Sequence, residues 1–174
     1  MLTVQKRVGI DATPLSVPAT GIGRYISGAI GGIATVRPTW QLECIVVAEA
    51  AGVGLARRQL AGMSENVKVQ ATIRRQAWIL RRLATRVGLP LLERFAGGPV
   101  DAFIDSEWFR PHQQSGVRLS IVYDLIPLLH PEWVSPRTRK AHLRSLAAIK
   151  DRADAIIAIS EVTKRDLVAH LGIP

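Results

Sequence analysis

The stretch VGIDATPLSVPATGIGRYISGAIGGI, residues 8–33, decides the fold. It opens as a short apolar strand, passes through a loop carrying Asp11, and enters a helix at GIGRYI. A strand, a glycine turn and a helix in that order is how many α/β proteins hold a phosphate. Gly21 and Gly23 allow close backbone approach, but the next glycine is Gly28, so the spacing is G-x-G-x-x-x-x-G. The dinucleotide fingerprint is not met. The acidic ribose partner expected about twenty residues on is also missing, because Glu43 falls inside the following strand. An NAD site is set aside. Two readings of the glycines stay open: approach to a phosphate, or a turn that packs the helix on the sheet.

Working outward, β-rich apolar runs alternate with helical segments. Strands are expected at about 7–12, 42–48, 66–70, 101–105, 118–124 and 155–160, and helices at about 22–36, 53–62, 72–88, 136–152 and 161–171. The runs IVVA, LSIVY and AIIAI are apolar on both faces, which is the mark of a parallel sheet covered by helices on each side. Ser135-Pro136 reads as an N-cap followed by proline at the first helical position. Ser160 caps EVTKRDLVAHL, which Gly172 and Pro174 stop.

The totals agree with one folded body. The chain has 174 residues, 48% of them hydrophobic, and its mean hydropathy is +0.16. That composition buries a full core, and no apolar run approaches the roughly 20 residues that cross a bilayer. The start leads directly into a strand, so no secretory signal is read there. One cysteine, Cys44, excludes an internal disulfide and a cysteine-based zinc site, and it sits in the apolar run LECIVVA. No metal site is expected, and the cytoplasm is the expected compartment. Twenty-three Lys and Arg against fourteen Asp and Glu give +9. That balance favours nucleic acid, anionic lipid or a phosphorylated substrate. A recognition-helix motif is lacking and aromatics make up only 5%, so nucleic acid is set aside.

In parallel α/β sheets ligands bind beyond the carboxyl ends of the strands. Asp11 closes the first strand, where it either binds a sugar hydroxyl, acts as a base, or holds the following loop through its backbone N–H groups. Asp105-Ser106-Glu107-Trp108 ends the fourth; a carboxylate beside an indole suits a sugar ring, and an exposed loop tip is the other reading. In IVYDLIPLLHPEW a buried strand delivers Tyr123 and Asp124 to the sheet edge before Pro127 turns the chain. Projected as a helix at about 100° per residue, ATIRRQAWILRRLATRVG puts Ile73, Ala77, Leu80, Ala84 and Val87 on one face. Arg74, Arg75, Arg81, Arg82 and Arg86 fall on the other, with Trp78 among them. That face fits either an anionic membrane surface or a solvated outer side whose tryptophan packs on a loop.

Three stretches, IDATPLSVPATGIGRYI, DLIPLLHPEWVSPRTR and RADAIIAISEVTKRDL, stand in the order and at the intervals of one family. Together the chain resembles the N-terminal domain of a GT-B glycosyltransferase of family 4, retaining enzymes that include many bacterial mannosyltransferases. The third stretch is similar to that family's A-x-S-E-x-[ST]-[KR]-x-[DE]-L pattern. The resemblance implies a Rossmann-like three-layer α/β/α domain with a mainly parallel sheet, spanning 1–174, as one half of a two-domain enzyme. The donor-binding C-terminal half, with the family's paired glutamates, would then lie outside this chain.

By the same resemblance Gly21, Ile22, Gly23 and Arg24 face the donor's phosphates. Asp11, Glu107, Trp108, Ser160 and Glu161 face the acceptor, and Tyr123 and Asp124 stand at the reacting sugar. Many relatives have histidine where this chain has Tyr123; a phenol can hydrogen-bond there but does not take up a proton near neutral pH. The implied substrates are a sugar nucleotide, GDP-mannose or a UDP-sugar, and a polysaccharide or lipid-linked glycan acceptor, with no cofactor. Arg74, Arg75, Trp78, Arg81 and Arg82 are the expected contacts with the inner face of the cell membrane. The competing expectation is a stand-alone, non-catalytic module that binds a sugar or nucleotide.

Overall fold

The computed structural model describes residues 5–86, 91–106 and 109–173. They form two compact units, residues 1–117 and 118–174. The fold is α/β, and every strand pairing within the two units is parallel.

In the first unit β1 (Arg7–Asp11) lies between β2 (Gln41–Ala48) and β4 (Ala102–Asp105), and β2 pairs outward with β3 (Val67–Ile73). The order is therefore β3-β2-β1-β4. The chain moves one way from β1 through α1 (Gly21–Val36) to β2, and through α2 (Ala50–Leu60) to β3. It then crosses to the other side of β1 through α3 (Ala77–Arg86) and α4 (Leu92–Ala96) to reach β4. That reversal makes the carboxyl ends of β1 and β4 the switch point, where open parallel sheets leave a crevice.

β2 is the spine. All residues from Leu42 to Ala48 are buried, with alternate side chains on opposite faces. Ile45 and Val47 pack with Ala77 of α3, Leu92 and Ala96 of α4, and Phe103 and Phe109. The other face is met by α2, which buries Val53, Ala56 and Leu60. Fully burying Val, Leu, Ile and Phe side chains such as these stabilises by about 1.5–3 kcal/mol each. At the amino end of β2, buried Glu43 accepts from Arg7 Nε (3.0 Å), Gln41 Nε2 (2.7 Å) and Gln70 Nε2 (2.8 Å). Arg7 Nη1 also donates to Pro99 O at 2.7 Å, which ties the turn after α4 to the sheet.

The second unit pairs β5 (Val117–Val122) with β6 (Ala155–Ala158), joined by α5 (Ile126–Leu129) and α6 (Pro136–Arg152). It closes with α7 (Glu161–Leu171). Val122, Leu125, Leu146, Ile149 and Leu167 form its core. Both expected caps form: Ser135 accepts from Thr138 N and Ser160 from Thr163 N, each at 3.1 Å. Gly172 ends α7 at φ 60°.

The main departure from the sequence reading is at 66–88. β3 continues to Ile73, because seven successive residues register against Leu42–Ala48, and the helix starts only at Ala77. Ile73, Arg74 and Arg75 are thus not on the helix face assigned to them. AIIAI also differs: β6 is half-buried to exposed, and Ile159 is 43% exposed rather than enclosed on both faces. The short α4 and α5, and the 3-10 turns Thr13–Ser16 and Pro131–Trp133, carry too few residues to show a helical period.

Candidate functional site

At the switch point the polar side chains are buried and bonded to one another. Asp11 ends β1 with no solvent exposure. Its Oδ1 accepts from Thr13 N at 3.0 Å, and its Oδ2 accepts from the Ser106 hydroxyl. Val47 N donates to Thr13 Oγ1 at 3.3 Å, and Ala12 N to Ile45 O at 2.8 Å. The loop after β1 is therefore stitched to β2 on one side and, through Ser106, to β4 on the other. Gln59 of α2 adds a bond to Leu15 O at 2.8 Å.

Beside it Asp105 Oδ1 accepts from Arg110 Nε at 2.7 Å, an ion pair buried at both ends. Arg81 reaches from α3 to the end of β2, where its Nη1 donates to Val47 O at 2.8 Å. Burial pulls the Arg81 guanidinium below its usual range, and the charge of Asp11 opposes that shift. Asp11 itself is pushed up to about 6. Burial raises it most; the bonds from Ser106 and Thr13 lower it, and the Asp105 charge adds to the rise. A carboxyl that titrates near neutrality at a switch point is a common signature of a working site.

The glycine turn takes a defined shape. Thr20 caps α1 through Oγ1, which accepts from Gly23 N at 3.0 Å, and Arg24 N donates to Thr20 O at 3.0 Å. A Cβ on Gly23 would stand 3.3 Å from Thr20 Oγ1, so its glycine serves the cap. A Cβ on Gly21 would meet nothing within 4 Å. Ile22 is half-buried and Arg24 exposed.

In the second unit Tyr123 is half-buried at the end of β5, and its carbonyl accepts from Thr163 Oγ1 at 3.1 Å. Asp124 is exposed, with Oδ1 accepting from Ile126 N at 2.9 Å. Ser160 and Glu161 open α7 and are exposed. Thr163 thus links the Tyr123 strand end to the Ser160 cap. Farther along the same connection, His130 and Trp133 stack at 4.1 Å with 11° between their planes.

The sequence-predicted residues therefore fall in two groups. Asp11, Gly21, Ile22, Gly23 and Arg24 belong to the first unit, and Tyr123, Asp124, Ser160 and Glu161 to the second. Glu107 and Trp108 lie outside the described residues. Asp11 is corrected in one respect: its carboxylate is enclosed and holds the loop, so it does not present itself to an acceptor. Arg81 is corrected too, since it turns inward to the strand end while Arg74, Arg75 and Arg82 stay exposed.

Thr13 and Arg110 were missed as members of the site, and Ser106, quoted within the Asp105–Trp108 stretch, was given no role of its own. A charged residue five positions beyond a strand-ending aspartate was the available signal for Arg110. Among the described residues no three His, Cys, Asp or Glu stand together as metal ligands, and no helix is long and apolar enough to cross a membrane. Compared with known protein families, curated proteins and solved structures, the chain matches none.

Proposed function

We propose that this chain is the acceptor-side half of a retaining glycosyltransferase that moves a hexose, mannose being the leading candidate, from a sugar nucleotide to a polysaccharide or lipid-linked glycan. The observation that carries the reading is the switch point of a β3-β2-β1-β4 parallel sheet furnished with Asp11, Asp105, Ser106, Arg110 and Arg81. A sheet needing only stability has no use for two buried carboxylates there. The identity of the ligand rests on the three sequence stretches and their resemblance to the family.

In this reading Asp11 is a positioning residue, acting through Thr13 and Ser106. Tyr123 and Asp124 meet the sugar, Tyr123 as a hydrogen-bonding group without proton transfer. The donor's nucleotide is held by the second half of the enzyme. The exposed segment Arg74, Arg75, Trp78 and Arg82, with Trp78 57% and Leu83 52% exposed, rests on the inner membrane surface.

Saturation-transfer NMR tests the reading. The chain alone is expected to bind mannose-containing oligosaccharides, to bind GDP-mannose and UDP-glucose far more weakly, and to transfer no sugar. Sugar transfer by these residues alone, or tight nucleotide binding without any glycan binding, overturns it. The second reading, a non-catalytic binding module, is favoured by one fact: Asp11 and Asp105 both spend their carboxylates on internal bonds. It wins if glycan binding persists while pairing with a donor-binding domain of the family yields no transfer. Anionic vesicles test the membrane contact: binding unaffected by Arg74→Glu with Arg75→Glu rejects it.

A further inference from the structure

The connection from β5 to α6 carries a second feature that the proposed reaction does not use. Beside the first three turns of α6 lies a groove of about 630 Å³. Pro131, Pro136 and Leu143 line it together with Arg139, Lys140 and Arg144. Between Trp133 and Lys150 the chain has Arg137, Arg139, Lys140, Arg144 and Lys150 and no Asp or Glu. The first turn of α6 has no acidic residue, although a helix N-terminus carries partial positive charge and favours one. Cations gathered at that end work against the helix dipole, and an anion bound there would offset them.

The groove also has an aromatic neighbour. Trp133 lies between the two prolines that line it, stacks one face on His130, and is 66% exposed. The His130 ring fixes the indole without covering it, and Glu132 Oε1 stands 3.5 Å from His130 Nδ1. A fixed, open indole beside a cationic groove is matched by a molecule with an apolar ring face and an anionic substituent.

We infer that the groove between the 131–136 turn and α6 binds an anionic saccharide, its ring against Trp133 and its phosphate or carboxylate between Arg139, Lys140 and Arg144. A sugar matches the groove because one open indole face stands beside three cations, which meets a ring face and an anionic substituent at once. A nucleic acid would need more than one stacking platform. The inference rests on the glycan-acceptor reading above and narrows it, giving the acceptor a negative charge.

The test is titration of the 15N-labelled chain with mannose 6-phosphate, glucuronic acid, mannose and inorganic phosphate. The Trp133 indole signal is assigned with Trp133→Phe. Both anionic sugars are expected to move that signal and the amides of 136–147, and mannose to bind at least tenfold more weakly. Lys140→Gln with Arg144→Gln is expected to weaken the anionic sugars about tenfold. Arg57→Gln on α2 should change nothing. Equal binding of mannose and its phosphate overturns the inference, as does inorganic phosphate binding as tightly as the sugar phosphate. Perturbation of the same signals by phosphatidylglycerol vesicles but by no saccharide overturns it in favour of a membrane. No transfer step enters the experiment, so failure of the glycosyltransferase reading and failure of the groove are read separately.

Discussion

Replacing Asp11 by asparagine tests the switch point most directly. The carboxyl is enclosed and titrates at about 6 in place of 3.8. Between those values the native chain holds a proton that the unfolded chain has released, so stability falls as pH rises through the interval. Once Asp11 is fully ionised the loss amounts to about 3 kcal/mol, and it is absent below about pH 4. Asparagine has the same shape. Its Oδ1 still accepts from Thr13 N, and its amide can donate to the Ser106 oxygen in place of accepting from it. Asp11→Asn is therefore expected to be about as stable as the parent at low pH and about 2–3 kcal/mol more stable at pH well above 6.

Urea denaturation of both proteins across that range, followed by circular dichroism, reads the difference, because every other titrating group is common to the two. A difference that does not change with pH refutes the reasoning, as does a variant that loses ground as pH rises.

Other consequences follow from single contacts. Arg7→Met leaves buried Glu43 with two glutamine donors and no cation, and should cost about 3 kcal/mol in urea denaturation; a cost below about 1 kcal/mol would mean the pair is dispensable. Gly116→Ala puts a Cβ 2.3 Å from Val100 O at a φ of +85°. It should destabilise by more than about 2 kcal/mol. Gly28→Ala, inside α1 with nothing within 4 Å, should stabilise by about 0.5–1 kcal/mol. The two melting shifts must have opposite signs. Cys44 is buried and its thiol is pushed up to about 12, first by burial and then by Glu43. It should react with a disulfide reagent only after denaturant is added.

The parts of the fold that follow from local rules were legible. The run IVVA in the spine is apolar at both periods of two, as suits a strand covered on both faces. Ser135-Pro136 and Ser160 announce their helices because capping is settled within three residues. What was not legible depends on partners far along the chain. Ser106 meets Asp11 across 95 positions, and Arg7 meets Glu43 across 36. Neither pairing leaves a periodic trace. Arg81 shows the limit of a helical projection: the period places it on the polar side, yet its long side chain bends to the Val47 carbonyl. Residues 70–76 misled for a related reason. Arg74 and Arg75 are good helix formers, but pairing of β3 with β2 through Ile73 overrides that preference.

The glycine turn that raised the phosphate question can now be apportioned by donor. A helix start leaves its first four N–H groups without helical partners. In α1 these belong to Thr20, Gly21, Ile22 and Gly23, of which Gly23 N donates to Thr20 Oγ1, while Arg24 N makes the first helical bond, to Thr20 O. Among the described residues nothing accepts from Gly21 N or Ile22 N. The expectation of phosphate contact over Gly21 to Arg24 therefore contracts to the first two, and the two glycines part company: Gly23 lets its N–H reach the Thr20 cap, whereas Gly21 has open space where a side chain would stand. Under the proposed glycosyltransferase reading, these two N–H groups beneath an unobstructed glycine are the ones left for the donor's phosphate. They are too few for a dinucleotide, whose pyrophosphate needs the closer glycine spacing this chain lacks.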